Sequence, residues 1–317
     1  MNIADYYING LPEIGPWRDM HVRIEGPAAE YLQKAFLHTW NKETGQHIGG
    51  EECFPLDKDS LAHLPDVSGG RVAIVQRIPK EAPKAVREAY IAAIDAADRK
   101  IQLINPYFTP TRSIRKAIKR AVKRGVRVEI MIPGKSDIPF TPDAGFYFAN
   151  RLRKAGAHIY VFNGGFHHSK IMMVDDRLLY RGKHQPEQPD LRYDYEINAF
   201  IFDLPTTAEL TEVFRQDKLN STVYTREEHL KRSPWKRFVG WFAHLFTPDT
   251  LNPRALKNVS TFQRKSLSLF YVKRRNIFFQ FFLLFIPKSW KSLILITSLQ
   301  QIPDKPVFPS LSVYRYP

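Results

Sequence analysis

Three side chains capable of acid–base and phosphate chemistry occur at the spacing HxKxxxxD: His168, Lys170 and Asp175. Residues two apart on a β-strand point to the same face, so one extended segment would aim the imidazole and the ammonium at one spot. An imidazole can act as a nucleophile or as a general acid, and an ammonium can neutralise phosphate oxygens. The apolar residues at 171–174 are typical of a strand that is buried on both faces. We therefore expect this strand to carry an active site.

Short apolar strands and amphipathic helices alternate around this motif from residue 71 onward. The patterns predict strands at 72–75, 101–104, 126–132, 159–162, 170–174 and 197–202, and helices at 86–97, 114–122 and 145–155. Gly125 is expected to end the second of these helices in a left-handed conformation. The succession predicts an α/β fold with a mixed sheet covered by helices. Functional sites in such sheets gather at strand ends, which is where His168 is expected.

The remaining segments are less regular. Residues 1–50 contain a turn-rich stretch, an alternating strand around Val22 and Ile24, and a helix with apolar residues at three- and four-residue steps from Leu32 to Trp40. Residues 51–70 are polar and read as a linker, residues 71–204 form the main α/β unit, and residues 205–246 are expected to be helical. Residues 247–317 are interpreted as an irregular, basic and apolar tail.

One helix in the 205–246 segment has an aromatic face with cations nearby. Its aromatic residues include Trp235, Phe238 and Phe242, and lysine and arginine flank them. Such a face suits the interface of a membrane, where aromatic rings and basic side chains meet headgroups. Packing of the same face onto the sheet is the alternative interpretation.

Charge and cysteine content limit the classes of partner. The net charge is +15, but residues 251–317 hold eleven basic residues and one acid, so +10 of it lies there and only +5 in the first 250 residues. A mildly basic folded part suits an anionic ligand or membrane and does not demand nucleic acid. The single cysteine, Cys53, excludes an internal disulfide. The first five residues lack the basic start and apolar run of a signal peptide, and the longest apolar stretch, near 277–286, is shorter than a transmembrane helix requires, so we expect neither feature in this sequence.

Several segments, in order, resemble bacterial cardiolipin synthases of the phospholipase D superfamily. They are WRD at 17–19 followed by VRIEG at 22–26, NPYFTP at 105–110, GVRVEIMIPG at 125–134, and GAHIYV at 156–161 leading to GFHHSK at 165–170. The resemblance covers roughly residues 1–246 and implies a phospholipase D-like mixed sheet flanked by helices. Members of this family carry two HxKxxxxD motifs, one in each half of a pseudo-symmetric fold.

The chain departs from the family pattern in two places. It contains one HxKxxxxD motif, and its start resembles the segment just after the family's first motif, so residues 1–50 are expected to be a remnant of the first half. Asn2 and Asp19 resemble substrate-binding survivors of that first half-site. After Asp175, Gly182 keeps its family position, but Lys183 and Gln185 replace the hydroxyl and amide residues that follow in the family.

The resemblance implies transfer of a phosphatidyl group between two phosphatidylglycerol molecules, which releases glycerol and passes through a phosphohistidine. His168 would serve as general acid and base, with the nucleophile role left open, and Lys170 would neutralise phosphate oxygens. Glu196 is expected to orient an imidazole. Asp175 completes the motif and is expected to hold the turn at the strand end rather than touch substrate.

Further expectations concern ligands and partners. Gly182 and Tyr107 are expected to join Asn2 and Asp19 in binding substrate. His167, beside the motif histidine, should point to the opposite face and be structural. The reaction of this family requires no metal and no cofactor, and the chain shows no cluster of metal ligands at familiar spacing.

Three functions remain open at this point. The first is a cardiolipin synthase-like phosphatidyltransferase, truncated and impaired, peripheral at the bacterial cell membrane, with phosphatidylglycerol and an anionic membrane surface as partners. Its missing motif would come from a second copy or from an upstream first-motif chain. The second is a single-motif phosphodiesterase or nuclease that dimerises, although nucleic acid is not the expected partner. The third is a catalytically silent remnant that associates with membranes.

Overall fold

Strands rich in apolar residues form an eight-stranded mixed sheet in the computed structural model of the chain, which describes residues 5–54, 70–78, 81–138, 141–182 and 196–244. Its strands are β2 (Arg71–Arg77), β3 (Lys100–Ile104), β4 (Arg127–Pro133), β5 (His158–Phe162), β7 (Ile171–Val174), β8 (Leu178–Gly182), β9 (Glu196–Phe202) and β10 (Ser221–Val223). They lie in the order β10-β5-β4-β3-β7-β8-β9-β2. A separate two-stranded ladder joins β1 (Trp17–Arg18) to β6 (Phe166–His167).

Eight α-helices lie within the described ranges. They are α1 (Tyr6–Asn9), α2 (Pro27–Thr44), α3 (Ala85–Asp95), α4 (Arg112–Lys123), α5 (Thr141–Arg153), α6 (Leu204–Leu219), α7 (Arg226–Lys231) and α8 (Pro234–His244), and a short 3₁₀ helix spans Glu51–Cys53. Side chains cap three of these helices: Asp203 accepts a hydrogen bond from the backbone N–H of Thr206, Thr225 from that of Glu228, and Ser233 from that of Lys236. Gly125 follows α4 with a φ of 89°, which confirms the predicted left-handed stop.

The topology changes from parallel to antiparallel along the chain. Strands β3, β4 and β5 are parallel neighbours, connected by α4 and α5 as crossover helices. Strands β7, β8 and β9 then form an antiparallel meander, and β2 and β10 pair antiparallel at the two edges. The predicted α/β fold, a mixed sheet flanked by helices, is therefore confirmed.

Both faces of the sheet are buried, and β7 shows how. Met172 and Val174 pack into a core with α3, α4 and α5, whereas Ile171 and Met173 pack into a second core with α6. All four residues are at most 4% exposed. Because successive strand residues point to opposite faces, a strand between two helical layers needs an uninterrupted apolar run, as this strand has.

Two parts of the sequence interpretation change. The strand predicted around Val22 and Ile24 is wrong: residues 19–25 are irregular, and these two side chains pack, partly buried, against the core on the α6 face. Their alternation reflects burial against the sheet rather than pairing within it. The patterns also missed β8 and β10, the second of which interrupts the 205–246 segment between α6 and α7.

The described residues belong to one compact unit that spans Met1–Leu251. The domain boundaries expected from the sequence stay predictions. Most of the proposed 51–70 linker and the whole 247–317 tail lie outside the described residues. Within the described ranges, no helix combines the length and apolar character needed to cross a membrane.

Candidate active site

The two-residue ladder between β1 and β6 brings the amino-terminal segment beside the HxK motif. Trp17 pairs with Phe166 and Arg18 with His167, and the backbone N–H of His168 then donates to the carbonyl of Arg18 at 2.7 Å. Asp19 follows directly on one side of this ladder and His168 on the other. Two side chains 149 residues apart in sequence are thereby placed in contact.

The imidazole of His168 is held at both nitrogens. Nδ1 lies 3.2 Å from Oδ2 of Asp19 and 2.9 Å from the hydroxyl of Tyr7, and Nε2 lies 2.8 Å from Nζ of Lys170. A lysine ammonium can only donate, so Nε2 is the acceptor and the proton of a neutral ring sits on Nδ1, facing Asp19. The lone pair of Nε2 therefore points to the Lys170 side.

Asp19 is a buried carboxylate that stays ionised. Burial alone would raise its pKa, but the hydrogen bond with His168 and the positive charge of Arg181, 3.6 Å away, outweigh that effect and hold the pKa well below its usual range. Oδ1 of Asp19 and the hydroxyl of Ser169 each accept from the backbone N–H of Met20 at 2.9 Å. The carboxylate is thus fixed as a partner that orients the imidazole.

Burial in the site disfavours the positive charge of Lys170. Its side chain is largely buried, and burial lowers its pKa from 10.5 to about 8, with Asp19 opposing part of that shift. Nζ donates to the carbonyl oxygen of His168 at 2.9 Å as well as to the ring, and it lies 5.9 Å from the centre of the Tyr107 ring. A desolvated ammonium of this kind interacts strongly with an incoming phosphate.

Aromatic rings form the wall around His168. The ring centres of Tyr7, Phe166, Trp17 and Tyr107 lie 5.6, 5.7, 5.9 and 6.1 Å from the imidazole centre. The hydroxyl of Tyr107 donates to both oxygens of Asp137 at 2.9 Å; burial and this carboxylate raise the pKa of the phenol. The wall is apolar in its rings, which suits a substrate that combines a phosphate with organic groups.

Asp175 lies at the far end of β7 from His168. Its carboxylate accepts hydrogen bonds from the backbone N–H groups of Asp98, Arg99 and Lys100 at 2.7–2.8 Å. Burial works against ionisation, yet these three donors lower the pKa of Asp175. The structure therefore places the motif's carboxylate in the strand-end turn and does not bring it to the imidazole.

Glu196 and Gly182, two other residues singled out from the sequence, lie on neighbouring strands. Glu196 begins β9, is 1% exposed, and accepts a hydrogen bond from Arg77 at 3.3 Å. The carboxylate that contacts Nδ1 of His168 belongs to Asp19 and not to Glu196. Gly182 ends β8 and pairs with Asn198. Asn2 lies outside the described residues, as do Lys183 and Gln185.

His167 has the opposite surroundings to its neighbour. It is fully buried, and its Nε2 lies 3.1 Å from Oδ2 of Asp217, a carboxylate that also pairs with Arg18 at 2.9 Å. Burial lowers the pKa of His167, which favours the neutral ring. The side chain ties the β1–β6 ladder to α6, in keeping with a structural role.

Tyr7 and Arg181 contact this site but were not found from the sequence. Tyr7 lies in a segment without periodicity, so no pattern signals that it folds back onto His168. Arg181 lies on β8 opposite Ile171, and assignment of that strand would have placed it beside the motif. Among the described residues, no group of three His, Cys, Asp or Glu side chains is arranged to hold a metal ion.

Comparisons with known proteins find similarity to cardiolipin synthases. A family model described as "Cardiolipin synthase, PLD-like domain" matches residues 90–218. The chain is 34% identical to the major cardiolipin synthase ClsA of Bacillus subtilis (strain 168) and 32% identical to a cardiolipin synthase of Listeria monocytogenes, in each case over 78% of this chain and 50% of the relative. The chain therefore spans about half the length of the curated relatives it matches.

Among solved structures, a phospholipase D family member, NUC from Salmonella typhimurium, shares 19% sequence identity at a TM-score of 0.42, covering 49% of this chain and 98% of that one. The segments that flank the motif, the family model and the curated relatives point to one assignment. Residues 90–218 of this chain form a cardiolipin synthase-type, phospholipase D-like domain.

Proposed function

We propose that this chain contributes His168 and Lys170 to a phosphatidyl-transfer site that converts two phosphatidylglycerol molecules into cardiolipin and glycerol. The observation that carries the proposal is the chain of contacts from Asp19 through the imidazole of His168 to Lys170. It supplies an acid–base nitrogen, Nε2 of His168, and beside that nitrogen the ammonium of Lys170, which is largely removed from water. Phosphoryl transfer needs both.

The reaction divides into two displacements at phosphorus. In the first, one imidazole nitrogen forms a bond to phosphorus while the bond to the glycerol oxygen breaks, and a second imidazole protonates the departing glycerol. In the second, the latter imidazole removes a proton from the hydroxyl of another phosphatidylglycerol. That oxygen then displaces the histidine from phosphorus. Lys170 would turn from Nε2 to the non-bridging oxygens, whose charge it neutralises.

Two imidazoles are needed because nucleophile and leaving group lie on opposite sides of phosphorus. Residues 1–317 contain one HxKxxxxD motif. We propose that the other histidine comes from a second copy of this chain or from a polypeptide that carries the first motif. His168 is assigned to acid–base catalysis. Glu196, buried at the start of β9, is proposed to orient the second imidazole as Asp19 orients the first.

Contact with an anionic membrane surface is proposed to occur through α8. Trp235, Phe238 and Trp241 are 50, 47 and 45% exposed and form one aromatic face, with Lys236 and Arg237 on the same helix. Aromatic rings and basic side chains on one helix match the chemistry of the headgroup region. Such a contact would hold the chain peripherally at the bacterial membrane, where its lipid substrate lies.

The test is a transfer assay on phosphatidylglycerol vesicles, with the chain alone and together with a polypeptide that carries the family's first motif. The chain alone should turn over weakly, and the mixture should form cardiolipin. His168→Gln should abolish this activity. His158→Gln removes an exposed histidine on β5 and serves as the matched control. Full activity of the monomeric chain without a partner that carries the first motif would overturn the proposal that this chain supplies half of the site.

A second arm tests the competing reaction. The same preparations are incubated with supercoiled plasmid DNA, and nicking is followed on gels. If nicking depends on His168 and no cardiolipin forms, the chain is a nuclease and not a transferase. If the chain binds vesicles but neither forms cardiolipin nor nicks DNA in any mixture, it is a catalytically silent protein that associates with membranes.

A further inference from the structure

We propose that a pocket outside the His168 site binds the phosphate of an anionic phospholipid while the chain sits on a membrane. The pocket is lined by α5, α7, α8 and the turn between α7 and α8. The pocket has a volume of about 300 Å³, at the lower end of the range of ligand sites. None of its lining residues belongs to the His168 site. The inference rests on the membrane contact proposed for α8 and adds a specific ligand to it.

The charge of the pocket favours an anion. Its charged lining residues are Asp143 on one side and Arg232, Lys236 and Arg237 on the other, one negative and three positive charges, which leaves +2. Arg232 is committed within the protein: it pairs with Asp143 and stacks on Phe146 at 3.8 Å. Lys236 and Arg237 therefore carry the excess charge.

Arg237 supplies an observation that is independent of the net charge. Its Nε is buried and has no hydrogen-bond partner in the part of the chain that the structure describes. Buried polar groups are paired in the great majority of native structures, so the guanidinium of this pocket-lining residue has donor capacity to offer an acceptor in the cavity. Phosphate oxygens match the planar guanidinium in charge and geometry.

The neutral groups of the pocket are fixed in place around this arginine. His229 lies 3.1 Å from Nδ2 of Asn150 and 2.8 Å from the hydroxyl of Tyr224, so both ring nitrogens are engaged. Burial, followed by the charge of Arg237 and other nearby arginines, lowers the pKa of His229. The same positive field that disfavours a histidine cation favours a bound anion.

Trp241 connects the pocket to the aromatic face of α8. It lines the pocket and is also 45% exposed. Phe238 stacks on Trp235 with ring centres 5.6 Å apart and lies 5.6 Å from the Trp241 ring. If these rings enter the boundary between headgroups and acyl chains, Arg237 lies near the level of the lipid phosphates. This placement distinguishes a lipid from a soluble phosphate as the occupant.

Close packing of α8 on α5 keeps the pocket formed. A Cβ added at Gly240 would lie 2.3 Å from the carbonyl oxygen of Asp143, so the two helices approach too closely for any side chain. The phosphate would therefore meet a preformed site and not one assembled by the membrane.

The experiment compares two charge-matched variants. Arg237→Gln removes the proposed ligand, and Arg226→Gln removes the same charge from the exposed start of α7, outside the pocket. Binding is measured by co-sedimentation with phosphatidylcholine vesicles containing or lacking phosphatidylglycerol. Arg237→Gln should weaken binding to the anionic vesicles about tenfold, which corresponds to one charge-assisted contact, whereas Arg226→Gln should change it less than about twofold. Circular dichroism checks that both variants are folded.

A second measurement identifies the ligand. Titration with short-chain phosphatidylglycerol below its micelle concentration should show saturable binding that Arg237→Gln weakens. Inorganic phosphate should bind far more weakly; equal affinity would overturn the lipid assignment. Equal losses in the two variants would also overturn it, because general charge would then explain binding. A wild-type chain that fails to bind any vesicle would instead refute the proposed membrane contact, and transferase activity enters neither readout.

Discussion

The two ends of β7 use charged residues for opposite purposes. At the amino-terminal end, Lys170 is buried beside His168, and its pKa falls to about 8 because burial disfavours its charge. At the carboxy-terminal end, Asp175 is buried too, but three backbone N–H groups satisfy its carboxylate, and its pKa falls because its charge is favoured. One end holds a charge at a cost in stability, and the other gains stability from its charge.

This difference gives physical meaning to the spacing of the motif. Val174 and Arg177 close a β-turn through a 3.0 Å hydrogen bond, and Asp175 and Asp176, at its two central positions, have φ angles of 52° and 59°. Aspartate tolerates this left-handed conformation better than most residues, and tight hairpin turns of this hand require it. We therefore propose that the HxK part of the motif does the chemistry and that its aspartate holds the turn.

The largest effect is expected at the partner of the imidazole. Asp19→Asn should lower the rate of cardiolipin formation about 10³–10⁴-fold, because an amide no longer fixes the proton on Nδ1. Imidazole ¹⁵N chemical shifts should report a change in tautomer. Asp176→Asn, at the other end of β7, is the control and should change the rate only a few-fold. Equal losses of activity in the two variants would show that the two ends of β7 do not differ in function as proposed.

Lys170→Met should separate activity from stability. Transfer should fall about 10²–10³-fold, since one preorganised cation is lost. The free energy of unfolding at pH 7, measured in urea, should stay unchanged or rise by about 1–3 kcal/mol, because the variant buries no charge. A clear loss of stability would show that the hydrogen bonds of the ammonium outweigh its desolvation.

Asp175→Asn should show the reverse pattern. Asparagine also tolerates a positive φ, so the substitution tests the hydrogen bonds and not the backbone. Loss of an ionised acceptor for three N–H groups should cost about 2–4 kcal/mol of unfolding free energy. Activity per folded chain should stay near the wild-type value. An activity loss that exceeds the loss of folded protein would give Asp175 a role at the reacting phosphate.

The smallest effect is a pH dependence of stability. Since the folded pKa of Lys170 lies below its ordinary value of 10.5, the unfolded chain binds more protons between pH 8 and 10.5. The contribution of Lys170 to stability is therefore unfavourable below pH 8 and disappears as the pH rises through that window. The stability difference between Lys170→Met and wild type should shrink with pH, by about 1 kcal/mol per unit or less. A constant difference would refute the lowered pKa.

Local patterns predicted the fold better than they predicted the site. Apolar runs and helical periodicity located the central strands and helices because both cores require them. β8 was missed, although it places Arg181 beside the motif. The site itself depends on Asp19 and Tyr7, which reach His168 only through the β1–β6 ladder. No periodicity within either segment encodes that contact.

The interpretation of Asp175 as a turn residue was made from the motif, and its three backbone donors support it. Glu196 was expected to orient an imidazole, and that role stays a prediction. The carboxylate on His168 came instead from a segment in which only family resemblance, and no local pattern, had marked Asp19. Long-range pairing of short segments is the information that single-sequence patterns lack.

The β1–β6 ladder also bears on the order in which the molecule assembles. It joins segments about 149 residues apart through a ladder of only two residues, and closing a loop of that length costs about 4 kcal/mol of chain entropy. The amino-terminal segment should therefore dock late in folding and detach early, while the eight-stranded sheet persists. Hydrogen exchange at Trp17 and Arg18 should then exceed that at β3 and β7. Catalytic competence would be lost to partial opening well before the chain unfolds.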